Sequence, residues 1–240
     1  MRTRHRLRSA VRFLAGLLLL VLAYGTLHAH PHSLFAHELK VGTVVLHARQ
    51  PFPPNTIELL REVEARLSTS PMYRADHPHD VFLCDTPALY AFFSPHHPDT
   101  GGETYFWLAN VVFLRPVDLA ANRLISPLGT PVPEPRTLVY FLTHELVHAQ
   151  TWDALGLRGY LALERWQEDG YPDFVANRAF DAADATEKLR RGDPTLDPEK
   201  SGLYLRYHLL VHHALGSGLS VEQLLSGPRD AAPIEAELLR

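Results

Sequence analysis

The chain has a single cysteine, Cys84, in 240 residues. One thiol cannot close an internal disulfide or build a cysteine-rich metal site. Methionine is nearly as scarce, at 2 residues. No low-complexity tract and no internal repeat is present. Charged residues make up only 21%, with hydrophobic residues at 46%, a globular balance that excludes a disordered chain. Acidic residues are missing from the first 37 positions, and no charge interrupts Phe13 to Leu27.

That opening reads as a targeting or anchoring segment. Arg2, Arg4, Arg6, Arg8 and Arg12 form a basic head before the apolar run. The run is short for a full bilayer span, which needs ~20 residues. Ala23 and Gly25 fit the small-residue rule for signal-peptide cleavage better than Leu27 and Ala29 do. Both a cleaved signal and a retained anchor through residues 11–28 leave the arginines in the cytoplasm and the rest outside it, whether secreted, periplasmic or tethered to the inner membrane. Residues 1–29 are therefore read as signal peptide or anchor, 30–37 as a flexible stem and 38–240 as one folded domain. Without the five arginines, 18 basic residues face 27 acidic ones, a net −9. That balance is a poor match to nucleic acid.

Histidine is abundant, with 15 residues, so a metal here would be held by imidazole and carboxylate. Strand-like segments come first: Glu38 to His47, Val81 to Cys84 and Tyr105 to Leu114. Thr56 to Leu67 has helical apolar spacing, with Asn55 or Thr56 as N-cap. Ser126 to Pro135, with four prolines and a glycine, is a loop. Beyond it the pattern is helical: Thr137 to Ala149, a turn at Gly156, a stretch to Trp166, another from Asp169 to Arg191, then Leu203 to Leu215 and Ser220 to Leu225. Strands in the first half and helices in the second predict an α+β fold with a small mixed sheet.

His144-Glu145-Leu146-Val147-His148 is a His-Glu-x-x-His segment in the first of these helices. Residues four apart share a helix face, so both imidazoles can reach one zinc ion. Glu145 falls on a neighbouring sector, where it can take a proton from zinc-bound water and pass it to a leaving amine. Shuffling this composition would produce the pattern by chance in roughly one chain in twenty. Its apolar surroundings (Leu138, Val139, Phe141, Leu142, Leu146, Val147) make an unpaired cluster there costly, by several kcal/mol.

A second motif follows at Trp166-Gln167-Glu168-Asp169-Gly170-Tyr171-Pro172-Asp173-Phe174-Val175. Together the two segments resemble the gluzincin zinc metallopeptidases, in particular small bacterial proteins with a Trp-x-x-Glu-Gly-Tyr segment. The resemblance covers Thr137 to Val175 closely and the rest only in general pattern. It implies a zincin-like fold, one Zn2+ ion, and a third ligand just before the glycine, with an acid four residues later supporting a ligand histidine. By position the third ligand is Asp169, where the family has glutamate, and the supporting acid is Asp173. Glu168 is the alternative ligand, and Asp169 as a mere helix N-cap is the bland reading, since Pro172 predicts a helix starting near Asp169. Trp166, Tyr171 and Phe174 read as packing groups. The resemblance also implies an edge strand that aligns an extended peptide substrate, with Tyr105 to Leu114 as candidate.

Tyr171, Tyr204, Tyr207 and His208 are the candidate oxyanion donors. His208, His212 and His213 read as helical surface histidines rather than a second metal site. The expected function is an extracytoplasmic zinc peptidase acting on peptide or protein substrates. An inactive zincin-like binding or scaffolding protein of the cell envelope is the alternative, and a His-rich metal-handling protein a third reading.

Overall fold

The computed structural model describes residues 2–106 and 110–240, with side chains described from Val11 onward. The elements run α1 (Arg2–Ala29), β1 (His37–Val41), β2 (Val44–Ala48), α2 (Thr56–Leu67), β3 (His79–Leu83), α3 (Pro87–Phe93), β4 (Gly102–Tyr105), β5 (Val111–Leu114), β6 (Val117–Asp118) and β7 (Arg123–Leu124). Helices follow: α4 (Leu138–Tyr160), α5 (Arg165–Ala176), α6 (Ala182–Arg191), α7 (Pro198–Ser201), α8 (Leu205–Gly216), α9 (Val221–Leu224) and α10 (Ala232–Leu238). Mixed α+β architecture, with the sheet in the first half, is what the segregated patterns predict.

The main sheet has five strands in the order β1-β2-β3-β5-β4. The inner pairs β2/β3 and β3/β5 are parallel, and both edges are antiparallel. Side-chain alternation along the strands feeds two cores. Val81, Leu83, Val112 and Leu114 face α2 and α4. Phe82, Val111 and Phe113 face the other way, onto Phe35, Tyr90 and Phe93.

Two predicted strands are hairpins. Glu38 to His47 folds back at Gly42, whose φ of +58° suits glycine and whose Cβ position is filled by the Glu64 side chain. Of Tyr105 to Leu114, Tyr105 ends β4 and Val111–Leu114 form β5, and the two strands pair antiparallel. Residues 107–109 of that expectation lie outside the described residues. Phe106, just past β4, stacks on Trp152, centroids 4.6 Å apart. The sheet edge is therefore β4, not the predicted segment.

Three further expectations change. The 30–37 stem is packed: Pro31–Leu34 forms a 3-10 turn and Phe35 is buried. Helix α5 starts at Arg165 rather than near Asp169 and runs through Pro172. Its start is set by a capping box between Glu164 and Gln167, and a proline in the interior removes one hydrogen bond without ending the helix. The segment from Asp169 to Arg191 is consequently two helices, broken at Asn177. Helix α4 kinks at Gly156 (φ 66°, ψ 177°), where the sequence predicts a turn. Near the amino terminus, Val11–Ala29 is long and apolar enough to cross a membrane, with mean hydropathy 1.7; signal sequences share that property.

Candidate metal centre

Helix α4 begins at Thr137, whose hydroxyl caps the amide of Tyr140 at 3.3 Å. Its inner face packs on the sheet, and its middle turns place His144 and His148 together. Their Nε2 atoms lie 3.1 Å apart. Asp169, on the second turn of α5, brings Oδ1 to 3.8 Å from His148 Nε2. The candidate donor atoms of these three residues all lie within 4.8 Å of one another. Asp169 is thus a mid-helix residue facing the histidines, and the N-cap reading is overturned.

Two other His/Asp groups converge similarly among the described residues: His32, His47 and Asp80, and His77, His79 and Asp153. Hydrogen bonds already account for most of their contacts. His47 Nε2 lies 2.6 Å from Asp80, and His79 and His77 lie 2.8 and 3.1 Å from Asp153. In the α4–α5 group the carboxylate is too far from the imidazole to bond it, and the two Nε2 atoms are within hydrogen-bond distance of each other only. A divalent cation fits that donor set, because one ion serves all three groups at once.

Glu168 does not join the group. It lies beside Tyr160, whose hydroxyl lies 2.9 Å from His148 Nδ1. Tyr160 can accept from Nδ1, which leaves Nε2 facing Asp169 and His144. Asp173 also differs from expectation. Its oxygens are taken by the Tyr140 hydroxyl at 2.5 Å, His208 Nδ1 at 2.8 Å and Asn177 at 3.3 Å. Nδ1 of His144 has no partner. Tyr140 sits one turn before His144 on the same face and bonds the carboxylate, so Asp173 reaches the His144 ring through its charge and not through a hydrogen bond.

Glu145 points to the β4 side. Thr104 Oγ1 donates to Glu145 Oε2 at 2.8 Å. A Cβ on Gly102 would lie 2.7 Å from Glu145 Cγ, so only glycine lets the edge strand press this closely. The cleft in front, about 630 Å³, is lined by Gly102, Thr104, Arg136, Glu145, Tyr160 and Tyr204 together with the three grouped residues. Of the four candidate oxyanion donors, Tyr204 lines this cleft, with its ring stacked on His144 at 5.3 Å. Tyr171 is buried against Ser70, their oxygens 2.6 Å apart. His208 is buried against Asp173, not on the surface, and Tyr207 is absent from the lining.

Burial dominates the electrostatics. It pushes Glu145 up to about 8, against the Thr104 hydrogen bond. It pushes Asp169 up to about 7, helped by Glu168 and opposed by Arg165. It pulls His144 down to about 4, and His148 well below its ordinary value with help from His144. Without a cation the site is thus mostly uncharged near neutral pH. The folded state then binds more protons at the carboxylates than the unfolded chain does, so their contribution is full at low pH and is lost as pH rises through about 7 and 8. The histidines act oppositely, costing stability as pH falls below about 6.5. Above that value only the carboxylates matter. The melting temperature of protein freed of divalent cations is expected to fall between about pH 6.5 and 8.5; a flat or rising curve would contradict the burial account.

The sequence carries no local signal for Thr104, Tyr160 or Arg136, which reach the cleft from a strand, a kinked helix end and a loop. Comparison with protein-family models, with curated proteins and with solved structures finds no match to this chain.

Proposed function

We propose that this chain is a zincin-like metallopeptidase of the gluzincin type, with one zinc ion held by His144, His148 and Asp169. The observation that carries this reading is the facing pair of Nε2 atoms 3.1 Å apart, with Asp169 beside them and a buried carboxylate, Glu145, next to but outside the group. A storage or structural site has no use for that carboxylate. When bound, zinc supplies Lewis-acid polarisation of a carbonyl and lowers the pKa of water.

The chain's own residues do the rest. Glu145 accepts a proton from water in the cleft and returns it to the departing amine. Thr104 orients the acid from the edge strand. Tyr204 donates its hydroxyl to the oxygen on which negative charge develops. The free edge of β4 pairs with an extended peptide. Tyr160 and Glu168 keep His148 in one tautomer. Helix α1, with arginines at its start, delivers the domain out of the cytoplasm or tethers it there.

Zinc content of the purified protein, followed by peptide-library digestion with and without chelator, tests the reading. One zinc per chain and chelator-sensitive cleavage are expected. Zinc without cleavage would assign a binding or scaffolding protein of the cell envelope, and absence of zinc would sink both.

A further inference from the structure

Two guanidinium groups line the cleft, and they differ in what neutralises them. Arg165 lies 3.5 Å from Asp169 and also pairs with Glu199. Arg136 has no carboxylate among its described partners. Its Nη1 donates to the Gly202 carbonyl at 3.2 Å, and its charged carbon lies 5.7 Å from the centre of the Phe141 ring. These contacts hold the group in place without cancelling its charge.

Arg136 also has a defined position along the cleft. Phe141 is the ring that a Cβ on Gly101 would strike, at 2.8 Å. Arg136, resting on that ring, therefore lies off the Gly101 end of β4, beyond the point where Gly102 meets Glu145. The amides at the start of α4 are not the anion-binding element. Those of Leu138 and Val139 bond Asn122 at 3.0 and 3.1 Å, and that of Tyr140 is capped by Thr137. The helix dipole at this end nonetheless favours a negative charge beside it.

We propose that Arg136 reads a carboxylate on the substrate. The proposal rests on the peptidase reading and names the substrate class for that same site. From Thr137 to His144 the helix rises about 10 Å, which is roughly three residues of extended peptide. The carboxylate recognised thus lies within about three residues of the bond cut. It is either the free carboxyl terminus or an aspartate or glutamate side chain. A guanidinium fork gives a carboxylate two parallel hydrogen bonds, which a neutral peptide end cannot accept in that form.

The test uses three matched peptides: one with a free carboxyl terminus and no acidic residue, one amidated with a glutamate placed at successive positions, and one amidated and neutral. Affinity is read by fluorescence anisotropy on the full chain carrying Glu145→Gln, with and without added zinc, and kcat/KM on the unmodified active site. A carboxylate peptide is expected to bind about ten- to a hundredfold better than the neutral one. Arg136→Gln should bring that ratio close to one, and Arg136→Lys should retain part of it. Preference for the first peptide assigns the carboxyl terminus, and preference for the second assigns an acidic side chain. Equal affinities, no binding of any peptide at millimolar concentration, or a ratio unchanged in Arg136→Gln overturns the proposal. If nothing is cut but the affinity ratio and its loss are seen, the peptidase reading fails while the carboxylate site stands.

Discussion

Glu145→Gln is expected to keep one zinc per chain while peptide hydrolysis drops by about a hundred- to ten-thousandfold, the usual worth of a positioned general base. The side chain is locked on two sides. Thr104 donates to it from β4, and the close approach of Gly102 leaves it little room to move. Glutamine has the same shape and still offers an oxygen to Thr104, so the fold and the neighbouring histidines should not change. What is lost is the ability to take a proton. Burial makes that ability sensitive, since a group held at about 8 in the absence of a cation depends on added positive charge to ionise at neutral pH. Zinc content and kcat/KM, measured on one preparation, decide the matter. Hydrolysis at an undiminished rate would show that Glu145 is not the base.

Asp169→Ala is expected to abolish stoichiometric zinc binding, and Glu168→Ala to retain it. The two acids are adjacent in sequence and point to different partners. Asp169 lies 3.8 Å from His148 Nε2, in the group whose donor atoms converge. Glu168 meets Tyr160, which in turn meets His148 Nδ1. On the proposed reading Asp169 is one of three ligands, and its removal leaves two imidazoles, too few for a zinc site of this type. Removing Glu168 disturbs only the support of one ring, an effect on metal affinity of about ten- to a hundredfold. Calorimetric titration with zinc separates these outcomes. Loss of zinc in Glu168→Ala with retention in Asp169→Ala would exchange the two roles.

Much of the fold was legible because it is local. The apolar spacing of Thr56 to Leu67 gave α2 with those same bounds. The alternation of Val81, Phe82 and Leu83 follows a strand buried on both faces. Where reading failed, a local rule met a tertiary contact. Pro172 argued against a helix across 168–172, but the capping box four residues upstream of Glu168 starts α5 regardless, and the packing of Tyr171 and Val175 holds it. Phe106 read as strand because it is aromatic, yet it is aromatic to stack on Trp152. His208 read as a surface histidine because helices often carry them there, yet it is buried against Asp173.

The sequence alone determined that two imidazoles share one face of a helix, since a four-residue separation has a single outcome at 3.6 residues per turn. It also determined that the strands come first and the helices after. Only the tertiary structure decided which of two neighbouring acids faces those imidazoles, that Tyr160 steadies one ring, that Thr104 and Gly102 hold Glu145, and that Arg136 carries an uncancelled charge into the cleft. Those contacts join residues from 12 positions apart, for Tyr160 and His148, to 66 apart, for Arg136 and Gly202, and periodicity along a chain says nothing about which distant surfaces will meet.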